Sequence, residues 1–286
     1  MAKGRKLKPA AILLFCLAAC ALTLLGVFLS SRGEAVPPLT VTLLKVGKAD
    51  AIVLRSEGHA MVIDTGEEDD GEELVAFLEN QGIHRVDALI ITHFDRDHVG
   101  GADTLIEKME VGQIYLPAYR GDSSDYLDFI AALSLKGLVP QELTQAIEFD
   151  FMAARVLVEP PPSYETVGGA TENDNNFSLV TTVIHGDNRL LFAGDAEKQR
   201  IRGWLSGGTA AACDFLKMPH HGVYNTALNE LLESVSPQYA VICSSEKHPA
   251  DKETMALLKQ KSITAFETKD GDVTLISDGS RLKIHQ

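Results

Sequence analysis

Apolar positions at 40–46, 51–55 and 60–63 come in short, β-branched runs broken by Gly47 and Gly58, which predicts three consecutive strands. From 71 to 81 the spacing changes. Leu74, Val75, Phe77 and Leu78 recur at helical intervals, Gly82 ends the pattern, and 88–91 is continuously apolar, as a buried strand would be. The same reading gives a helix at 102–109, a strand at 113–116, a helix at 124–135, and strands near Ala146 and Ala154. Glu159-Pro160-Pro161-Pro162-Ser163 and Gly168-Gly169 read as loop, followed by strands at 179–184 and 189–192 about the turn 185–188. The last third alternates helices at 196–205, 227–235 and 251–259 with strands at 215–218 and 239–242. Strands near Ile263 and Val273 and a turn at Asp278-Gly279 close the chain. This order predicts a layered α/β body, sheets inside and helices outside.

One tract stands apart from that pattern. Residues 10–29 carry no charge and follow Lys3, Arg5, Lys6 and Lys8. Twenty helical residues rise roughly 30 Å, about the thickness of a bilayer's hydrocarbon core, so an uncleaved signal anchor is expected. Its basic side stays cytoplasmic and the rest of the chain is extracellular. Cleavage to a secreted product, or lipid attachment at Cys20 within Leu17-Ala18-Ala19-Cys20, are the alternatives. The chain then divides into a basic stub and membrane segment at 1–32, a linker at 33–39 containing Pro37-Pro38, and one domain at 40–286.

Composition narrows the function classes. A hydrophobic fraction of 45% excludes a disordered chain. The formal net charge is -14, and residues 1–32 hold five basic and no acidic side chains, so the domain is more acidic than the whole. Such a field repels polyanions at long range, which disfavours a nonspecific nucleic-acid binder. A phosphodiester substrate stays open, because divalent metals invert the sign locally. Cys213 and Cys243 lack metal-type spacing and read as reduced core residues.

The chemistry concentrates at strand ends. His93, Asp95, Asp97 and His98 follow the apolar run 88–91 directly, and alternation along an extended segment points His93, Asp95 and Asp97 one way. Imidazoles and carboxylates so close together call for a cation, and this donor set suits zinc or manganese. Gly194-Asp195 follows the strand 189–192, Lys217-Met218-Pro219-His220-His221-Gly222 follows another, and His248-Pro249 comes shortly after 239–242. His59, His84, His185 and His285 stand alone and read as non-ligands.

These residues resemble the metallo-β-lactamase superfamily, and more closely the hydrolase domain of ComEC-type competence proteins. Val46-Gly47-Lys48-Ala49-Asp50-Ala51 is similar to that family's opening motif, and Ile63-Asp64-Thr65-Gly66 to its second. Thr92 to Gly101, Asn175-Asn176-Phe177-Ser178, Phe192-Ala193-Gly194-Asp195 and Leu216 to Gly222 follow in the family order. Lys48, Ala49, Val223 and Lys247 depart from its pattern and bear on substrate contacts. The resemblance implies an α/β fold, an αββα sandwich, with two divalent metal ions, zinc or manganese, at its edge. It implies that His93 and Asp95 hold one metal, Asp97 and His98 the other, with Asp195 bridging and His248 a late ligand. Asn175, Asn176 and Ser178 fall where the superfamily's third-motif histidine lies, so they are expected as weak ligands or substrate contacts.

The expected activity is hydrolysis of a phosphodiester, DNA among the candidates, by a metal-activated water that Asp97 or Asp195 orients. His220 or His221 would protonate the leaving oxygen, bind the phosphate, or support the ligand shell. Hydrolysis of an ester, lactam or thioester at the same centre is the alternative, and a metal-binding envelope protein without turnover is another. No protein partner can be inferred.

Overall fold

The predicted alternation resolves into two sheets in the computed structural model, which describes residues 36–164 and 174–286. Strands β1 (Leu39–Leu43), β2 (Ala51–Ser56) and β3 (His59–Thr65) form an antiparallel meander. After β3 the chain must cross over before pairing again, and it does so through helices. α1 (Asp70–Asn80) leads to β4 (Arg85–Ile90), and α2 (Arg96–Val99) with α3 (Ala102–Lys108) leads to β5 (Glu110–Pro117). α4 (Ser124–Lys136) then leads to β6 (Gln141–Leu143), and β3 to β6 pair in parallel, as helical crossovers require.

A second sheet repeats the plan. β7 (Ile147–Phe151), β8 (Ala154–Glu159), β9 (Val180–His185) and β10 (Asn188–Phe192) are antiparallel. β11 (Phe215–Lys217), β12 (Tyr239–Ile242) and β13 (Thr264–Glu267) add in parallel, through α5 (Lys198–Ser206), α6 (Ala227–Val235) and α7 (Lys252–Gln260). The hairpin of β14 (Val273–Ser277) and β15 (Leu282–His285) returns to pair with β1. The sheets hold eight strands, in order β15-β14-β1-β2-β3-β4-β5-β6, and seven, in order β13-β12-β11-β10-β9-β8-β7.

Alternation along each strand decides the layering. Val53, Val62 and Leu89 face α1, α3 and α4, while Ile52, Leu54, Met61, Ile63 and Ile90 face the other sheet. The second sheet meets them with Val156, Val158, Val183, Leu190, Phe192, Phe215 and Val241, and turns Leu191, Leu216, Ala240 and Ile242 toward α5, α6 and α7. Three apolar interfaces therefore separate four layers, α, β, β and α. Each fully buried large side chain in them contributes about 1.5–3 kcal/mol. Pro37–Gln286 form one compact unit.

Three expectations change. The stub and membrane segment at 1–32, with Cys20, lie outside the described residues, as does Gly168-Gly169. Among the described residues no helix is long and apolar enough to cross a membrane. The membrane-anchored, extracellular placement therefore loses its structural footing and is withdrawn. The segment 93–98 is also not extended throughout: α2 begins at Arg96 and carries Asp97 and His98 on a helical turn. β6 was not predicted because two of its three residues, Gln141 and Glu142, are exposed and show no apolar alternation.

Candidate metal centre

The site forms where strand ends of both sheets meet. Thr92, just past β4, joins them: its carbonyl oxygen accepts from Leu179 N–H at 2.9 Å. Its own N–H and hydroxyl donate to Asp64 Oδ1 and Oδ2, each at 2.7 Å. Gly194 holds φ +52° against this joint, and a Cβ there would lie 2.9 Å from Thr92 Cβ and 3.0 Å from Ser178. A side chain at 194 would push the sheets apart at the point where Asp195 enters. Ser178 Oγ accepts from Asp195 N–H at 3.1 Å. Buried Arg200 in turn holds Ser178, donating to the carbonyl oxygens of Ser178 and Glu159.

Four buried residues offer ligand atoms that all lie within 4.8 Å of one another: Asp50, His98, Asp195 and His221. His98 Nε2 is 3.2 Å from Asp195 Oδ1, and His221 Nε2 is 3.0 Å from Asp195 Oδ2 and 3.2 Å from Asp97 Oδ2. Beside them, fully buried His93 places Nε2 3.5 Å from Asp95 Oδ2. Asp95 is 42% exposed, so this half of the site opens to solvent.

The histidines are held in a common way. His93 Nδ1 lies 3.1 Å from Thr92 Oγ1, His98 Nδ1 lies 2.8 Å from Asp64 Oδ2, and His221 Nδ1 lies 3.0 Å from the Cys243 carbonyl oxygen. The Thr92 hydroxyl proton goes to Asp64, so each Nδ1 is assigned the N–H of its bond. Nε2 is then the lone-pair nitrogen, and among the described residues these three buried Nε2 atoms make no hydrogen bond. Buried polar atoms normally find a partner, and imidazoles anchored through one nitrogen with the other facing carboxylates are built to ligate a cation. The residues present thus fit divalent metal.

The charges support that fit. Burial raises the Asp195 carboxyl, but the charges of His221, His98 and Lys217 outweigh it and hold it well below the usual carboxylate range. Asp97 behaves alike, burial being outweighed by the close approach and charge of His221 and by the charge of His98. His98 and His221 are conversely held up against burial, chiefly by Asp195. A proton and a cation compete for the same Nε2 positions.

Lys217 stands among these groups with its ammonium fully buried. It contacts Asp50, donates to the Gly194 carbonyl oxygen at 3.1 Å, and lies 3.4 Å from Asp195 Oδ1. Asp50 and Asp195 raise its pKa against burial. The turn after β11 carries backbone strain, with His220 at φ 48° and His221 at φ 50°. Such left-handed conformations cost about 1–2 kcal/mol each in residues other than glycine, and strain of this kind collects at functional sites.

Of the sequence-predicted residues, His93, Asp95, Asp97, His98 and Asp195 come together, and His221 joins them with Nε2 turned inward. His220 lies to one side, Nδ1 3.3 Å from Glu197 Oε1. Burial lowers its pKa, against the charges of Asp195 and Glu197. His248 does not join: it is exposed in a turn where its N–H bonds to the Ser245 carbonyl oxygen at 3.1 Å. Asn176 Oδ1 accepts from Arg200 N–H at 2.9 Å, serving the first turn of α5, and Asn175 Nδ2 donates to Glu197 at 3.2 Å. Ser178 Oγ supports the Asp195 backbone.

Asp50, Asp64 and Lys217 were missed as members of the site. Their signal was a charged residue inside an otherwise buried apolar strand or at its start, which requires a buried partner. Asp174 was also missed. It lies within electrostatic reach of Asp95 and His93, and burial, followed by the Asp95 charge, pushes its carboxyl up to about 6.

Comparison with known proteins agrees with this geometry. Residues 44–246 match the metallo-beta-lactamase superfamily. Recombination protein 2 of Haemophilus influenzae is 27% identical over 259 residues, covering 87% of this chain and 30% of that protein. ComE operon protein 3 of Bacillus subtilis is 26% identical over 264 residues, covering 84% and 32%. This chain thus spans about a third of the length of these relatives. Among solved structures, Igni18, a metallo hydrolase of Ignicoccus hospitalis, aligns with a TM-score of 0.52 at 14% identity, over 82% of this chain and 98% of that one. With its four layers, its inward-facing histidines and carboxylates and its matched residues 44–246, the chain belongs to the metallo-beta-lactamase superfamily, the fold of metal-dependent hydrolases.

Proposed function

We propose that the protein is a metal-dependent phosphodiesterase acting on nucleic-acid strands, with DNA as the first substrate to test. The observation that carries the metal dependence is the set of three buried Nε2 atoms facing carboxylates without a hydrogen bond. His98, Asp97, His221 and the shared Asp195 would hold one cation, and His93, Asp95 and Asp195 a second. Bound divalent ions supply Lewis acidity and bring a water's pKa into the neutral range. Asp64, Thr92 and the Cys243 carbonyl fix the imidazoles, Ser178 and Lys217 fix Asp195, and Asp97 would orient the attacking water by accepting a hydrogen bond from it. His220, set beside Glu197 and kept neutral by burial, accepts a hydrogen bond at the substrate side and does not serve as a standing imidazolium acid.

Phosphodiester chemistry is favoured by two features. Lys48, one-third exposed and 3.7 Å from Asp97 Oδ2, puts an ammonium at the mouth of the centre where an anionic ester would arrive. The similarity to Recombination protein 2 supports a nucleic-acid substrate. The test is a panel of zinc- and manganese-loaded protein against single- and double-stranded DNA, a bis-aryl phosphodiester, a lactam and a thioester. Metal-dependent DNA cleavage abolished by Asp97→Asn supports the reading. Turnover of the lactam or thioester alone, or stoichiometric metal with no turnover anywhere on the panel, overturns it.

A further inference from the structure

Distance alone admits Asp50 to the cluster of ligand atoms, but the nitrogens nearest to it are the wrong ones. Its carboxylate lies 3.7 Å from His98 Nδ1 and 3.7 Å from His221 Nδ1, which Asp64 and the Cys243 carbonyl already hold. Asp195 and Asp97 instead approach Nε2 of these rings, the nitrogens left for a cation. Among the described residues neither Asp50 oxygen accepts a hydrogen bond, although both are buried. What faces this carboxylate is the Lys217 ammonium, in ion-pair contact.

Lys217 ends β11, between β10 and β12, where it pairs with Phe192 and Val241. β10 leads to Asp195 and β12 to Cys243, so a central strand fixes the lysine between two walls of the site. Its fully buried ammonium meets Asp50, the Gly194 carbonyl oxygen at 3.1 Å and Asp195 Oδ1 at 3.4 Å. Two carboxylates and a carbonyl are the oxygen donors that a hard metal cation takes. Desolvating an ammonium is costly, and an apolar side chain of similar length would fill the same space without that cost.

We propose that Lys217 is a resident cation of the centre. Its tethered ammonium occupies an oxygen-lined cation position between Asp50 and Asp195, keeps mobile ions out of that position, and makes Asp50 a counter-ion instead of a metal ligand. The position is filled whether or not metal is bound, so the two carboxylates are held together before any divalent ion arrives. This rests on the reading of Asp195 as a metal ligand.

The test is manganese binding to the intact chain by equilibrium dialysis, together with urea midpoints in chelator and in manganese, with no substrate present. Lys217→Met keeps the length, removes the charge and leaves Asp50 buried without its partner. It should lower the midpoint in chelator, bind one equivalent more than wild type, and gain more stability from manganese than wild type does. Lys217→Met combined with Asp50→Asn removes both charges, and should return the wild-type number of equivalents and raise the midpoint in chelator again. Asp50→Asn alone keeps the ammonium on Asp195. It should leave the number of equivalents unchanged, with affinities reduced by no more than the roughly 10–100-fold that loss of an outer partner costs. An equivalent lost in Asp50→Asn makes Asp50 a ligand and overturns the assignment. Lys217→Met protein that binds only the wild-type number overturns it as well, and if that variant does not fold in either medium, Asp50→Asn decides alone. Manganese binding left unaltered by Asp195→Ala is a separate result, which overturns the metal reading itself.

Discussion

Buried histidines occupy two regions of this molecule, and their surroundings differ in kind. At the metal centre, His93, His98 and His221 each use one ring nitrogen on the protein and leave the other facing carboxylates. At the turn between β9 and β10, His185 is equally buried but engages both nitrogens, Nε2 2.9 Å from the Pro37 carbonyl oxygen and Nδ1 2.7 Å from Ser277 Oγ. Ser277 Oγ is itself 2.8 Å from Asn188 Oδ1. Burial and residue type are the same in both regions. What separates a ligand from a structural histidine is whether the second nitrogen is already satisfied, and whether the groups around it carry net charge.

The strongest way to break that distinction is Asp195→Ala, which removes the carboxylate facing His98, His221 and Lys217 together. Metal affinity and hydrolysis should both fall by more than about 100-fold, beyond the cost of losing an outer partner. Dialysis against zinc and a rate assay on the same preparation read the two losses. Ser277→Ala, at the other region, should leave both values where they are. Equal losses in the two variants would mean that the charge difference between the regions is irrelevant to metal.

Cation binding should appear next as stability. At free metal a thousand times its Kd, about 4.1 kcal/mol is added to the folded state, and a domain of this size gains roughly 2–4 °C per kcal/mol. A melt in chelator should therefore fall by roughly 10 °C relative to metal-loaded protein. Asp64→Asn should sit between these extremes. It takes one charged acceptor from His98 Nδ1 and Thr92 without touching any Nε2, so metal affinity should drop roughly 10–100-fold while the bound stoichiometry stays the same.

The contrast also explains which parts of the molecule could be read from the sequence. A layered α/β body was legible because apolar residues recur with period two in the strands and at helical spacing between them; the αββα sandwich itself was what the family resemblance implied. His93, Asp95, Asp97, His98 and Asp195 were legible because each follows an apolar strand. The remainder depended on tertiary contact. Nothing local shows that Lys217 reaches Asp50, which precedes it by most of the domain, or that Asp64 in β3 accepts from His98. Asn175 and Asn176 drew attention by position in a motif, yet the turn at 174–177 directs them to Glu197 and α5. His220 and His221 are adjacent in sequence, and only the left-handed backbone at both decides that His221 turns inward.

Proton linkage gives a smaller effect with opposite signs in the two regions. In metal-free protein, Asp195 and neighbouring charges raise His98 and His221 against burial. Their contribution is complete below the unfolded histidine value of about 6.5 and is lost as pH rises through their folded values. Asp97 and Asp195 are lowered, so their contribution is present above about 3.9 and lost as pH falls through their folded values. His185 is lowered, chiefly by burial. Its contribution is present above about 6.5 and lost as pH falls through its folded value. Urea midpoints followed against pH in chelator should show an acid decline below about 6.5 that His185→Gln flattens, and an alkaline decline that added zinc removes. An acid decline unaffected by His185→Gln would break the assignment.

The smallest expected change is the most discriminating for the late histidine. His248 and His221 both lie in turns after parallel strands of the second sheet, and the resemblance alone favours His248 as a ligand. The geometry of the described residues favours His221. His221 is buried, its ring is tied to the Cys243 carbonyl, and its Nε2 lies 3.0 Å from Asp195. His248 is exposed, and its N–H and carbonyl close a turn on Ser245 whose purpose is to lead the chain to Pro249 and α7. His248→Ala should therefore change manganese and zinc affinity by less than about twofold, since surface substitutions away from buried features usually fall within 0.5 kcal/mol. His221→Ala, in the turn after the neighbouring strand β11, should lose a metal outright. A tenfold loss in His248→Ala would require that turn to refold toward Asp195 when metal binds, and the Ser245 Oγ bond to His248 N–H, 3.1 Å long here, would be the contact that breaks.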